Sequence, residues 1–361
     1  MALLVVLALF GAACTGADDG TDEASEPGGD DEAAAGDDTE DDVAAATGSE
    51  GSTLQAVLDA GVLQCGVSGQ LAGFSLNDGG EYSGIDVDYC RAVAAAVLGD
   101  PDAVEYTDLT AETRFTALQS GDVDVLIRNG TWTASRDGEL ALQWTTTTYY
   151  DGQGMLVNAD DEAQEVADMD GFRICVQTGT TTELNLESYF ANLGISYEPV
   201  NVADEAGVTE NFSSGSCDGY TTDRSGLASF AATYTGGDVR IVPDVMSKEP
   251  LGPAVRQGDD QWFDIVNWTV LATFQAEEFE LDSSNVGSYD GDNTEILRFT
   301  GQEEGFSSGL GFPDEGWAVR VIEAVGNYQE IFDRNIVPLG LDEGVNQLWT
   351  EGGLHYAPPY R

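Results

Sequence analysis

The chain has little positive charge. Of its 361 residues, 13 are Lys or Arg and 66 are Asp or Glu, and Lys248 is the sole lysine. The formal net charge of −53 at pH 7 creates a field that repels polyanions. Nucleic acids and anionic membrane surfaces are therefore excluded as partners.

Histidine and closely spaced cysteines are also scarce. His355 is the single histidine, and it lies in a Tyr/Pro-rich segment near the C-terminus, which argues against a Ser-His-Asp or Cys-His site. None of the five cysteines has CxxC spacing, so neither thiol redox chemistry nor structural zinc is predicted. The cluster at residues 290–293 lacks the spacing of a calcium loop. The sequence predicts no metal and no cofactor.

Long apolar runs are missing apart from residues 1–13, which are too few to span a bilayer as a helix. A short apolar run that ends in small residues is typical of an export signal. The sequence Gly-Ala-Ala-Cys at residues 11–14 resembles a bacterial lipobox, which predicts a diacylglycerol on Cys14. Residues 15–52 are acidic and carry no aromatic or basic residue, so we expect a disordered tether. An acidic tail that binds cations or a basic partner is the alternative.

Beyond the tether, apolar runs alternate with amphipathic segments, a pattern typical of parallel sheets built from βαβ units. The predicted strands are 63–68, 105–108, 123–128, 173–177, 196–200 and 218–222. The predicted helices are 86–98, 112–120, 181–193, 204–213 and 260–277. The Gly-rich stretches up to Gly84 and over 301–316 are predicted to be loops.

Two segments break this alternation and predict a chain that crosses twice between two lobes. They are YYDGQGMLVN, residues 149–158, and PLGPAVRQ, residues 250–257. The predicted layout is a signal segment (1–14), the tether (15–52), lobe 1 (53–150), lobe 2 (151–250) and the rest of lobe 1 (251–361). In such α/β folds, ligands bind in the crevice beyond the carboxyl ends of the strands.

Four cysteines remain once Cys14 is assigned to the lipid, an even number in an exported chain, where disulfides persist. Three connectivities are possible. We favour Cys65 with Cys90 and Cys175 with Cys217, because each pair joins neighbouring elements of one predicted lobe.

Three strand exits carry polar residues toward the predicted crevice. Arg136 opens a helix and offers a bidentate fork for a carboxylate, although a surface ion pair with Asp137 or Glu139 is the alternative. Thr180 has capping-box spacing with Glu183, so the helix N-terminus beside Thr181 could attract the same anion. Asp223 ends a strand and could accept from an ammonium or cap the next helix. Two anion-binding exits and one cation-binding exit match the α-carboxylate and α-amine of an amino acid.

Long stretches of the chain carry a resemblance to one family. They include GIDVDYCRAVAAAVLGD (84–100), RFTALQSGDVDVLIRNGTWTASRD (114–137), CVQTGTTTELNLESYF (175–190), CDGYTTDRSGL (217–227) and KEPLGPAVRQGDDQWFDIVNW (248–268). Over about residues 52–361 the chain resembles the family 3 solute-binding proteins of polar amino-acid ABC transporters, closest to the general L-amino-acid-binding branch. The resemblance implies a two-lobed periplasmic-binding-protein-like α/β fold, each lobe a mainly parallel sheet flanked by helices.

The resemblance also implies roles for residues. Arg136 would hold the ligand α-carboxylate, aided by Thr131 and the Thr180/Thr181 loop, Asp223 would hold the α-ammonium, and Asn129 would line the pocket. Arg128, beside Asn129, departs from the family pattern and could favour acidic ligands or pair with an acidic neighbour.

By the same resemblance the chain would deliver L-amino acids, with broad specificity, to membrane permease subunits from outside the cytoplasm. The lipid predicted on Cys14 would be its membrane anchor, and we expect a monomer. It would not be an enzyme. An amino-acid sensor and, less favoured, a dehydratase on the same fold are the alternatives.

Overall fold

The computed structural model describes residues 52–305 and 307–360. The predicted signal segment, the lipidation site Cys14 and the tether as far as residue 51 lie outside the described residues.

The described chain alternates strands and helices. The strands are β1 (Leu63–Val67), β2 (Gln70–Leu71), β3 (Ser75–Asp78), β4 (Glu81–Ser83), β5 (Val104–Asp108), β6 (Val125–Leu126), β7 (Leu142–Trp144), β8 (Tyr149–Asp151), β9 (Gln153–Asn158), β10 (Phe172–Gln177), β11 (Tyr197–Val202), β12 (Gly219–Asp223), β13 (Val239–Ile241), β14 (Glu249–Leu251) and β15 (Ala254–Arg256). The helices are α1 (Thr53–Ala60), α2 (Ile85–Leu98), α3 (Arg114–Ser120), α4 (Ala134–Glu139), α5 (Thr181–Leu193), α6 (Glu205–Ser213), α7 (Arg224–Thr233), α8 (Asp260–Glu278), α9 (Thr294–Phe299), α10 (Ser307–Leu310), α11 (Trp317–Val325) and α12 (Tyr328–Asn335). Short 3-10 turns cover Val166–Asp168, Val286–Ser288, Val337–Leu339, Gly344–Asn346 and Trp349–Glu351.

Lobe 1 is built around a five-stranded sheet in the order β5-β1-β6-β15-β7. β1 pairs in parallel with β5 and β6, while β15 enters antiparallel from the far end of the chain. Helices α2, α8, α11 and α12 contribute to its core, in which Trp262, Trp317, Tyr89, Tyr328 and Phe274 are fully buried. Both ends of the described chain therefore build this lobe.

Lobe 2 contains the second five-stranded sheet, in the order β11-β10-β12-β9-β13. Successive residues of its central strands point to opposite faces, as the two-residue period of a strand requires. Met155 and Val157 of β9 enter one apolar cluster and Leu156 enters the other. Because both faces are covered, these strands are apolar without alternation.

The two lobes are joined by β8 and β14, which form a two-stranded antiparallel ribbon. Asp151 of β8 lies opposite Glu249 of β14 in the register. The side chain of Asn346 supports this ribbon, accepting from Tyr150 N at 2.6 Å and donating to Tyr150 O at 3.1 Å. The ribbon places two acidic residues where the chain passes between the lobes.

Three local predictions differ from the structure. The strand predicted over 123–128 is confined to Val125–Leu126, because its register reaches only two residues of β1 and one of β15. The stretch before Gly84 contains the three-stranded sheet β2-β3-β4, whose tight turn is closed by Gly80 N donating to Asn77 Oδ1 at 2.8 Å. The 301–316 stretch is not merely a surface loop. It includes α10, and its buried Phe312 stacks on Trp317 with ring centroids 3.7 Å apart.

Each lobe carries one disulfide. Cys65 of β1 is bonded to Cys90 of α2, and Cys175 of β10 is bonded to Cys217 just before β12, with Cα–Cα distances of 6.2 and 5.6 Å. These are the two pairs expected from the sequence, and each joins neighbouring elements of one lobe. No helix in the described part of the chain has the length and apolarity needed to span a bilayer.

Candidate functional site

Arg136 is buried at the start of α4, in the loop that follows β6. Thr133 caps this helix, accepting from Arg136 N at 3.2 Å, and so sets the direction of the arginine. The Arg136 side chain is 8% exposed, and its Nη1 donates to the carbonyl of Thr131 at 2.9 Å. Among the described residues, Arg136 forms no ion pair with Asp137 or Glu139. The surface ion pair considered from the sequence is absent, and the rest of the guanidinium fork is left for another partner.

The loop before α5 carries the second group of predicted residues. Thr180 is the N-cap, as its spacing predicts: its hydroxyl accepts from Glu183 N at 3.1 Å and donates to Gln177 O at 2.7 Å. This hydroxyl is therefore used within lobe 2. Thr181 is the outward-facing hydroxyl of the pair, and it donates to Glu249 Oε2 at 2.9 Å.

The lobes meet at Thr131 and Thr181, whose hydroxyl oxygens are 3.3 Å apart. Thr131 lies in the lobe 1 loop and Thr181 begins α5 in lobe 2, so this contact crosses the cleft. Glu249 organises the lobe 2 side, because it accepts from Thr181 and from Asn185 Nδ2 at 2.8 Å. Arg136, Thr180 and Thr181 all line a pocket beside this contact.

Asp223 ends β12 and is 5% exposed. It occupies the N-cap position of α7, but its side chain makes no capping hydrogen bond. The capping role considered from the sequence is therefore not the one found. Burial, followed by the neighbouring charges of Asp151 and Glu249, raises the pKa of Asp223, whereas Arg114 and Arg136 act in the opposite direction. A ligand cation bound beside Asp223 would stabilise the ionised form of this buried carboxylate.

A second cavity lies between the lobes around Asn129. Its lining comes from lobe 1 and from lobe 2: Ser68, Gln70, Leu71, Asp108, Leu109, Thr110, Arg128, Asn129, Gln177, Asp204, Glu205, Thr222 and Gly226. Asn129 has φ 31°, in the left-handed region, and its N–H donates to Asp86 Oδ2 at 3.0 Å. Arg128 Nε donates to Leu109 O at 2.8 Å. Burial lowers the pKa of Arg128, and the charges of Asp86 and Glu205 act in the opposite direction. The acidic neighbours expected for Arg128 are thus Asp86 and Glu205.

The structure brings Arg136, Thr131, Thr181 and Asp223 to one cleft and places Asn129 in the adjoining cavity. Sequence reasoning missed Arg114, Asp151 and Glu249. Arg114 had a usable signal, because it stands three and four residues before the buried Ala117 and Leu118, on the apolar face of α3. Asp151 and Glu249 had none, since each is one acidic residue among many and becomes notable only through the pairing of β8 with β14.

Asp86 gives a testable pH dependence of stability. Burial raises its pKa to about 7, above the value of about 3.9 expected in the unfolded chain. Between these values the folded state holds the proton and the unfolded state does not, so the free energy of unfolding falls as pH rises. We expect Asp86→Asn to flatten the decline of melting temperature between pH 5 and pH 8, measured by calorimetry. The exposed Asp160→Asn is the control, and an equal slope in the Asp86 variant would contradict the assignment.

Two α/β lobes joined by paired crossing strands, with buried charges of both signs facing one cleft, define a protein that encloses a small polar ligand between its lobes. The model of the bacterial extracellular solute-binding proteins, family 3, matches residues 63–281. The chain belongs to that family, and the resemblance seen in its sequence is confirmed.

Relatives match over almost the whole described region. The chain is 50% identical to the glutamate/glutamine/aspartate/asparagine-binding protein of Rhodobacter capsulatus, over 88% of this chain and 95% of that protein. It is 48% identical to the general L-amino acid-binding periplasmic protein of Rhizobium johnstonii, with the same two coverages. A structure of an ABC transporter periplasmic binding protein from Brucella ovis with glutathione bound aligns with a TM-score of 0.84 at 46% identity, covering 86% of this chain and 100% of that one. The predicted two-lobed α/β fold is confirmed by this alignment.

Proposed function

We propose that the protein captures L-amino acids between its lobes and delivers them to the permease of an ABC transporter. The observation that carries this proposal is the pair of buried, incompletely paired charges, Arg136 from lobe 1 and Asp223 from lobe 2. A zwitterionic α-amino acid supplies one partner for each, and the names of the relatives describe amino-acid-binding proteins. These contacts need no reacting group, and the proposed role is binding without catalysis.

In the proposed complex the ligand α-carboxylate lies against Arg136 and the hydroxyls of Thr131 and Thr181, with the N-terminus of α5 beside it. The α-ammonium lies against Asp223. Thr180 contributes through the helix end that it caps, and Asn129 through the adjoining cavity. Opening and closing would bend the β8–β14 ribbon, a hinge of the kind that ligand-binding proteins use.

The cellular setting belongs to the same proposal. The family is extracellular by description. The apolar residues 1–13 followed by Cys14 support export and a lipid anchor on the outer face of the membrane, and the acidic residues 15–52 support a tether. A monomer is the form in which one ligand site would face the permease pair.

A thermal-shift screen of the purified protein against the twenty L-amino acids, with D-enantiomers as controls, tests the function. A ligand at one hundred times its Kd that binds only the native state adds about 2.7 kcal/mol of stability, which raises Tm by roughly 5 °C for a chain of this size. We expect shifts with several L-amino acids and none with their D-forms. A flat response to every compound would refute amino-acid capture.

A further inference from the structure

Residues 282–361 lie beyond the span 63–281 that matches the family, and we call them the C-terminal extension. Much of the extension completes the core of lobe 1, where Trp317, Tyr328 and Phe332 are fully buried. Its later part also contacts the β8–β14 ribbon. The extension therefore reaches the segment that joins the two lobes.

Asn346 of the extension holds the outer edge of β8. Its Oδ1 accepts from Tyr150 N at 2.6 Å and its Nδ2 donates to Tyr150 O at 3.1 Å, so one side chain binds both backbone groups of this residue. Pro250 of β14 lies opposite Tyr150 on the other edge of the strand. Asn346 is buried, and it takes the place that a third strand would have in the ribbon. A displacement of Tyr150 from this position breaks two hydrogen bonds.

Tyr328 and His355 add two further contacts between the extension and β8. The Tyr328 hydroxyl donates to the carbonyl of Thr148 at 3.0 Å. The ring centroid of His355 lies 5.3 Å from that of Tyr150 and 4.1 Å from that of Phe274. Both ring nitrogens of His355 are buried without a hydrogen-bond partner in the described part of the chain, and burial lowers its pKa to about 3. This histidine is therefore a neutral packing surface behind the ribbon.

The strand β8 leads directly to the proposed ammonium site. Asp151 follows Tyr150, and its Oδ2 accepts from Ser225 N at 3.2 Å in the first turn of α7. Asp223 ends the strand that precedes α7, and the charge of Asp151 contributes to its raised pKa. A displacement of β8 would therefore shift Asp151 relative to both residues.

The two lobes touch in this structure, since the hydroxyl oxygens of Thr131 and Thr181 are 3.3 Å apart. The hydrogen bonds of Asn346 thus belong to the closed arrangement of the ribbon. We propose that Asn346 is a positioning residue for ligand binding: by holding β8, the C-terminal extension stabilises the closed arrangement of the lobes. This inference rests on the proposed function. Apparent affinity scales with the fraction of molecules in the binding-competent arrangement, so Asn346 acts on every ligand alike.

Titration calorimetry of the full protein with L-glutamate and with L-glutamine, for wild type and Asn346→Ala, tests the inference. The variant loses two hydrogen bonds to β8, so we expect the affinity for each amino acid to fall by about tenfold. Asn346 lines neither of the cavities in the cleft, and the factor should therefore be the same for both ligands. Stopped-flow fluorescence should show the loss as faster dissociation, because a less stable closed form opens more often.

Asn327→Ala is the matched control. Asn327 is another buried asparagine of the extension with two hydrogen bonds, accepting from Glu330 N at 3.0 Å and donating to Leu281 O at 2.9 Å. Both bonds stay within lobe 1. The control variant should have a lower melting temperature than wild type, and it should bind both amino acids with unchanged affinity and unchanged dissociation rate.

Tyr328→Phe covers the case in which Asn346→Ala does not fold. It removes the hydrogen bond to Thr148 O and keeps the buried ring in place. We expect a loss of about threefold in affinity for both amino acids, again through faster dissociation.

The outcomes separate this inference from the proposed function. Wild type that binds the amino acids, with Asn346→Ala or Tyr328→Phe binding as wild type does, would overturn the inference alone. A loss confined to one of the two amino acids, or an equal loss in Asn327→Ala, would also overturn it. Wild type that binds neither amino acid contradicts the proposed function and this inference with it.

Discussion

Arg136→Ala is expected to weaken amino-acid binding by about 30-fold to several thousand-fold, because truncation removes a buried charge-assisted contact worth about 2 to 5 kcal/mol. Arg136 is 8% exposed; its backbone N–H donates to the Thr133 hydroxyl, and its guanidinium donates to the Thr131 carbonyl. A ligand carboxylate would therefore meet a preset fork with little water to screen it. Titration calorimetry with L-glutamine measures the loss.

Arg136→Lys distinguishes the contribution of the positive charge from that of the forked guanidinium geometry. A lysine keeps the positive charge but cannot make two parallel hydrogen bonds, so we expect a smaller loss than for alanine. Arg91→Ala, which removes a partly exposed arginine paired with Asp102, is the matched control and should bind as wild type does. Normal binding by folded Arg136→Ala would show that the α-carboxylate lies elsewhere.

Asp223→Asn is expected to weaken amino-acid binding by a similar factor, about 30-fold or more, because it removes the charged partner of the ligand ammonium. The substitution keeps the shape of the side chain and removes the charge that would pair with the ligand ammonium. Glutarate, which is L-glutamate without the amine, supplies the matched ligand. Wild type should prefer L-glutamate to glutarate strongly, and Asp223→Asn should reduce that preference.

The pH dependence of binding gives Asp223 a second signature. Burial and the charges of Asp151 and Glu249 raise its pKa in the ligand-free protein, so part of the population is protonated where an ordinary aspartate is not. Binding of an ammonium requires the ionised carboxylate, and affinity should therefore rise with pH through the range in which Asp223 loses its proton. Asp223→Asn should lose this rise, and exposed Asp238→Asn should keep it. A variant with the wild-type pH profile would assign the dependence to another group, such as Asp151, whose pKa burial raises to about 6.

Elements bounded by strong local signals could be predicted closely. The predicted helix over 181–193 agrees with α5, because Thr180 caps its first turn and Gly194, at φ 72°, ends it in the left-handed conformation. The strand predicted over 123–128 was too long, because a strand extends only as far as a neighbour pairs with it. β6 finds partners for just Val125 and Leu126.

In the candidate site, too, some residues could be placed from the sequence, whereas the contacts of others depend on the fold. Asp223 ends a predicted strand and Arg136 opens the helix that follows another. Because the carboxyl ends of parallel strands meet at one crevice, their neighbourhood was predictable. Arg114 begins a helix of the same lobe, and its lack of a partner depends on what the fold packs around it. Glu249 and Asp151 lie about one hundred residues apart in sequence and face each other through the β8–β14 register.

Apolar periodicity, caps and glycine stops act over a few residues, and they are enough to specify the helices, the alternation with strands and the two-lobed class. Ion pairing and burial depend on groups brought together from distant parts of the chain. The tertiary structure accordingly decides that Asp223 does not cap α7 and that the Nε of Arg114 is buried without a hydrogen-bond acceptor. Electrostatic energies in a cleft depend on the distances between charged groups and on the exclusion of water when the chain folds. Local sequence determines neither of these.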